Sequence, residues 1–181
     1  MTMQRIAVVG TTGTGKTMLA SWLSRRLGIP HVELDAIYWG PGWSVVPAPV
    51  FRARVGQALE SERGVVDGNY SQVRDLVWGR AQALLWLDYA LPVVMWRLVG
   101  RTLRTAVTGE ELWSGNRERL ATALWSRDSL LLWALKTYRK HRREYPGLLG
   151  EPEYAHLRLV RLRSPQATRT WLSGFEARRA W

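Results

Sequence analysis

Eight consecutive residues, Gly10-Thr11-Thr12-Gly13-Thr14-Gly15-Lys16-Thr17, fit the pattern G-x-x-x-x-G-K-[ST] in full. Glycines at these places let the backbone wrap closely around phosphate oxygens. The loop N–H groups and the N-terminus of a following helix make an anion cradle. Within it, Lys16 is placed for the β/γ-phosphates of a nucleotide and the Thr17 hydroxyl for Mg²⁺. The chemistry this predicts is ATP and Mg²⁺ binding, with Gly10 to Thr17 as the binding residues.

Such a loop needs carboxylates beside it. Asp67 and Asp88 both close short apolar runs, Val65-Val66 and Leu84-Leu85-Trp86-Leu87. Asp67 is the expected metal-side acid, because Gly68-Asn69-Tyr70 reads as a site loop. Asp88 lies just before Leu91-Pro92 and reads as a helix cap. Asp35 ends the predicted strand at 31–34, where ligands of open parallel sheets bind. A carboxylate there can orient or deprotonate an acceptor hydroxyl, or join the metal shell. Tyr38, Trp39 and Trp43 follow it, able to stack on a planar acceptor or on one another. Arg97, Arg101 and Arg104 share one helical face, and Arg117, Arg119 and Arg127 follow. Arginine neutralises the charge that phosphoryl transfer spreads over the transferred group. Arg101, Arg117 and Arg127 are therefore candidate catalytic residues beside Lys16 and Asp35. Lys136, Arg139, Lys140, Arg142 and Arg143 read as solvated surface.

The elements that must position these residues alternate. Strands are predicted at 5–9, 31–34, 64–67, 83–87 and 157–162. Helices are predicted at 16–27, 50–60, 71–79, from Pro92 to about 107, from about 128 to Tyr145, and from Ser164-Pro165 onward. In the first helix Met18, Leu19, Trp22, Leu23 and Leu27 are expected on the buried side, and in the long one Leu131, Leu132, Leu135 and Tyr138. This alternation implies an α/β fold with a parallel sheet covered on both faces. A single domain over 1–181 is expected, with a helical lid over about 93–145 as the one insertion without a strand.

Composition narrows the function. The chain has 181 residues, 46% of them apolar and 23% charged, which excludes disorder and collagen. With no cysteine there is no disulfide scaffold, thiolate metal site or Cys nucleophile. The run from Ala83 to Trp96 is broken by Asp88 and Pro92, so no membrane partner is expected and a cytoplasmic location is the default. The net charge is +11. Residues 1–90 carry only +2 of it and residues 91–181 carry +9. Most of the excess thus falls in and after the predicted lid, although a genome that writes Arg for Lys would account for part of it. No [NT]-K-x-D segment supports a GTPase, and Asp67-Gly68 lacks the Glu usual beside the acid of a motor ATPase.

Several segments carry a family resemblance. The phosphate loop, Asp35, Asp67-Gly68 and an Arg-bearing segment before the last strand resemble the adenylate-kinase-like small P-loop kinases. His31 to Trp39, Val66 to Ser71 and Glu111 to Glu118 are similar to the bacterial topology-modulation (FlaR-related) proteins. The resemblance covers about residues 5 to 165. It implies a three-layer P-loop NTPase fold with a five-stranded parallel sheet of order 2-3-1-4-5 and a closing lid. It also implies ATP with Mg²⁺, and Arg163 near the adenine. Adenylate kinases carry D-G-[FY]-P-R after the third strand. Here Asp67-Gly68 continues as Asn69-Tyr70-Ser71-Gln72-Val73-Arg74, with Arg74 only near the usual place of the acceptor-phosphate Arg. The expected function is phosphoryl transfer from ATP to a small-molecule acceptor: a nucleoside, a nucleotide or another hydroxyl compound. The alternative is a nucleotide-binding regulatory protein that contacts DNA or RNA, in line with the topology-modulation likeness. A monomer or homodimer is expected.

Overall fold

The computed structural model describes residues 4–108, 111, 113–116 and 130–177. Five parallel strands, β1 (Arg5–Gly10), β2 (His31–Glu33), β3 (Gly64–Asp67), β4 (Ala83–Leu87) and β5 (Arg158–Leu162), form one sheet of order β2-β3-β1-β4-β5. This is the order that the resemblance implied. The strand limits agree with the sequence expectation to within a residue or so; β1, β3 and β4 are short apolar runs closed by Gly or Asp, whereas β2 and β5 carry polar residues as well. The helices are α1 (Lys16–Leu27), α2 (Leu34–Tyr38), α3 (Ala48–Ala58), α4 (Arg74–Arg80), α5 (Leu91–Thr108), α6 (Leu130–Leu148) and α7 (Pro165–Ala177).

The pleat of β1 divides the core in two. Ile6 and Val8 point to one face, where Leu19 and Leu23 of α1 and Phe175 of α7 cover them. Ala7 and Val9 point to the other, under Phe51 and Val55 of α3, Trp78 of α4 and Tyr145 of α6. The three layers follow from this alternation. Burying each large apolar side chain is worth about 1.5–3 kcal/mol, which holds the strand ends in register.

Two helices turn differently from expectation. Met18 is 75% exposed, and Leu19, Ala20, Leu23 and Leu27 make the buried side of α1. On α6 Leu132 is 55% exposed, while Ala134, His141 and Tyr145 are buried. The buried stripe therefore includes a polar ring, which apolar spacing alone cannot pick out. α6 also runs past Tyr145 and carries Pro146 inside its last turns. Asp35, expected at a strand end, lies in the first turn of α2. At the start of α7 the Ala167 N–H donates to Ser164 Oγ at 3.0 Å, which caps the helix.

Candidate active site

The phosphate loop joins β1 to α1 at the carboxyl edge of the sheet. Gly10 has φ +150°, and a Cβ there would stand 2.7 Å from the Leu87 carbonyl, so only glycine fits. Gly13 has φ +83°, and a Cβ would meet Leu98 of α5 at 3.1 Å. The loop is thus pressed between β4 and α5. Arg97 of α5 donates to the Thr14 carbonyl at 2.9 Å and lies over the Tyr89 ring.

The acidic side is assembled from two strands, β2 and β3, and the start of α1. Thr17 Oγ1 donates to Asp67 Oδ2 at 2.7 Å and approaches Glu33 Oε1 at 3.3 Å. Asp67 is 3% exposed, and its second oxygen lies 2.9 Å from His31 Nε2. Thr17, Glu33 and Asp67 are all oxygen donors, the set a hard cation takes. Mg²⁺ typically uses one or two carboxylates plus phosphates and waters, so these residues fit it. Burial, then the neighbouring Asp67 charge, raises the Glu33 pKa. Burial lowers the Lys16 pKa; Asp35, Asp67 and Glu33 oppose that, and Arg101 adds to it. Lys16, Asp35, Asp67, Glu33 and Arg101 therefore share one electrostatic neighbourhood.

Asp35 is held by an aromatic relay. The Tyr70 hydroxyl donates to Asp35 Oδ1, and Trp39 hydrogen-bonds Tyr70 in turn. Burial and the Asp35 charge push the Tyr70 pKa far up, so the phenol stays protonated and keeps donating. Tyr38 packs against Tyr70 at 4.5 Å and Trp39 against Trp43 at 5.5 Å, between ring centroids. The loop aromatics thus pack on one another. Next to them Leu34, Asn69, Tyr70, Arg74, Trp78 and Tyr145 line a small cleft. A second cleft opens at the amino ends of the strands, away from these groups.

Several contacts were absent from the sequence expectation. The Asn69 side chain accepts from the Gly10 N–H at 3.0 Å and donates to the Gly10 carbonyl. It pairs with the loop entrance as another backbone strand would. Trp113 hydrogen-bonds Glu33. Beside it, Ser114 Oγ donates to the Trp39 carbonyl at 2.7 Å, and Asn116 bridges the Gly40 carbonyl and the Trp43 N–H at 2.9 Å each. Residues 113–116 thereby tie the predicted lid region to the loop after α2.

Two readings need correction. Asp88 is no helix cap: Arg142 Nε and Arg161 Nη2 each reach its carboxylate at 2.6 Å, and it is 4% exposed. Arg142 is accordingly not part of a merely solvated run; it ties α6 to the end of β4. Arg163 follows β5 and is exposed. Arg117 and Arg127 lie outside the described residues. Among the described residues no helix is long and apolar enough to cross a membrane.

No protein-family model matches the chain, and no curated protein matches it. Solved structures do. A gluconokinase from Sinorhizobium meliloti 1021 superposes with TM-score 0.53 at 21% identity, covering 96% of this chain and 92% of that one. Shikimate kinase from Bacteroides thetaiotaomicron gives 0.54 at 17% identity, covering 97% and 98%. Shikimate kinase from Aquifex aeolicus gives 0.51 at 15% identity, covering 96% and 97%. At such identities the likeness establishes architecture, and the chain has the three-layer α/β fold of these small P-loop kinases.

Proposed function

We propose that the protein is an ATP- and Mg²⁺-dependent kinase of a small hydroxyl compound. The observation that carries this reading is Asp35, hydrogen-bonded by Tyr70, within electrostatic reach of Lys16, on which Asp67 of the Thr17–Asp67 pair also acts. The names of the structural neighbours, kinases of small molecules, support it.

The loop from Gly10 to Thr17 binds the triphosphate through its N–H groups and Lys16. Thr17 and Asp67, with Glu33 beside them, would hold Mg²⁺, which would neutralise charge on the phosphates. Asp35 accepts the proton of the acceptor hydroxyl. The acceptor oxygen forms the new P–O bond as the bond between the β,γ-bridging oxygen and the γ-phosphorus breaks, leaving ADP. Arg97 braces the loop through the Thr14 carbonyl, and Arg101 adds positive charge beside Lys16. The proposed lid is the stretch from about 93 to 145. Arg117 and Arg127 are its proposed phosphate ligands, and Arg163 lies by the adenine.

The test is ATP consumption against a panel of nucleosides, nucleoside monophosphates and small hydroxyl compounds, with Lys16→Ala as control. One acceptor that stimulates turnover in the native protein and not in the variant supports the reading. Salt-resistant DNA or RNA binding with no acceptor phosphorylated would favour the nucleic-acid alternative.

A further inference from the structure

His141 lies on α6, far in sequence from the phosphate loop, and the reaction outlined above does not use it. It is 8% exposed. Its Nδ1 is fully buried and has no hydrogen-bond partner among the described residues. Buried polar atoms in native proteins are nearly always paired, and an unpaired one calls for a reason. The ring stacks on Tyr145, with centroids 4.8 Å apart and planes 25° apart. Tyr145 in turn lines the cleft beside Asn69, Tyr70 and Arg74, and its hydroxyl donates to Asn69 Oδ1 at 3.3 Å.

The charges that act on His141 come from three elements and share one sign. They are Lys16 at the start of α1, Arg74 at the start of α4 and Lys140 on its own helix. Burial together with these cations lowers its pKa to about 4, so the ring is neutral at pH 7. A neutral imidazole carries one N–H and one acceptor nitrogen. Two cations from separate elements within electrostatic reach of a buried, unpaired ring nitrogen, itself stacked on a residue of the cleft, suit a negatively charged oxygen.

We infer that His141, Arg74 and Lys16 form a subsite for an anionic oxygen of the bound molecule, a phosphate or carboxylate group, with His141 as a binding residue contributed by the lid-side helix. This deepens the kinase reading and rests on it for the identity of the ligand. Two sources share that chemistry: the γ-phosphate of the nucleotide, and an anionic group on the acceptor.

The test uses the full chain labelled with ¹⁵N on histidine ring and backbone nitrogens. In one arm a non-hydrolysable Mg-ATP analogue is added. In the other, inorganic phosphate is added after saturation with Mg-ADP. A shift of the His141 ring nitrogens in the first arm assigns the γ-phosphate as the source. A shift in the second arm with none in the first assigns an acceptor-side anion. No shift in either arm overturns the subsite. The amides of Gly13 and Gly15 report nucleotide binding independently. If they ignore Mg-ADP, the kinase reading fails, and phosphate alone still tests the subsite. His141→Phe keeps the stacking on Tyr145 and removes the ring nitrogens. It should weaken the ligand that shifts His141 about tenfold, the usual loss of one hydrogen bond to a charged group. His141→Gln, which keeps a donor, should recover part of that loss. Native-like affinity in a folded His141→Phe protein overturns the proposal.

Discussion

Asn69 offers the sharpest test of how the phosphate loop is held. Its amide meets both the N–H and the carbonyl of Gly10, a buried residue, and also accepts from Tyr145. Asn69→Ala leaves two buried backbone groups unpaired. A buried unsatisfied group costs about 1–3 kcal/mol, and Asn69 is itself half-buried, so water recovers part of this. The expected loss is about 2 kcal/mol, or a fall in Tm of roughly 4–8 °C for a chain of this size. Asn69→Asp is closer in shape and keeps the oxygen that accepts from the Gly10 N–H. It nevertheless turns a second oxygen toward the Gly10 carbonyl and adds negative charge beside the triphosphate site. ATP binding, measured by calorimetry, should therefore weaken more in Asn69→Asp than in Asn69→Ala. Thermal melts of both variants complete the assay. An Asp variant that melts and binds ATP like the native protein would refute the role given to the amide donor. An unchanged Tm in the Ala variant would refute the pairing as a whole.

Other expectations follow from the same contacts. Asp88→Ala removes the carboxylate between Arg142 and Arg161; because both arginines are partly exposed and can rehydrate, the loss in urea unfolding should be about 2–4 kcal/mol, at or below the usual range for a broken buried pair. His141 has a folded pKa of about 4 against an ordinary 6.5. The unfolded chain thus binds the extra proton between those values, and stability should fall as pH drops from 6.5 toward 4, by at most ~3 kcal/mol. His141→Phe should flatten that limb of the urea-unfolding pH profile. Asn116→Ala frees the Trp43 N–H and the Gly40 carbonyl, and hydrogen exchange at the Trp43 amide should accelerate at least about tenfold; unchanged exchange would mean that the 113–116 segment does not hold this loop.

The phosphate loop and the strands were legible because their signals are local. Gly10 to Thr17 is one continuous segment, and β1, β3 and β4 are apolar runs closed by Gly or Asp. The sheet order came through a family resemblance instead of through periodicity. What stayed illegible depends on contacts between distant residues. Nothing near Asn69 says that its amide will face Gly10, nor anything near Asp88 that Arg142 and Arg161 will converge on it. Glu33 carried a faint signal, two residues before Asp35 at a strand end, which alternation on a pleated strand could have exposed. On α6 the apolar residues Leu131, Leu132 and Leu135 suggested one buried face. The real stripe runs through Ala134, His141 and Tyr145, because a histidine buried against a tyrosine ring counts as polar in any apolar tally.

The fate of the γ-phosphate tests the central claim most directly. With γ-³²P-ATP, Mg²⁺ and an acceptor from the panel, label should move to the acceptor in the native protein. Asp35→Asn should slow that transfer at least about 100-fold, the lower end for loss of a general base, while ATP affinity changes little. Label released only as inorganic phosphate, at the same rate in the native protein and in Asp35→Asn, would contradict the account.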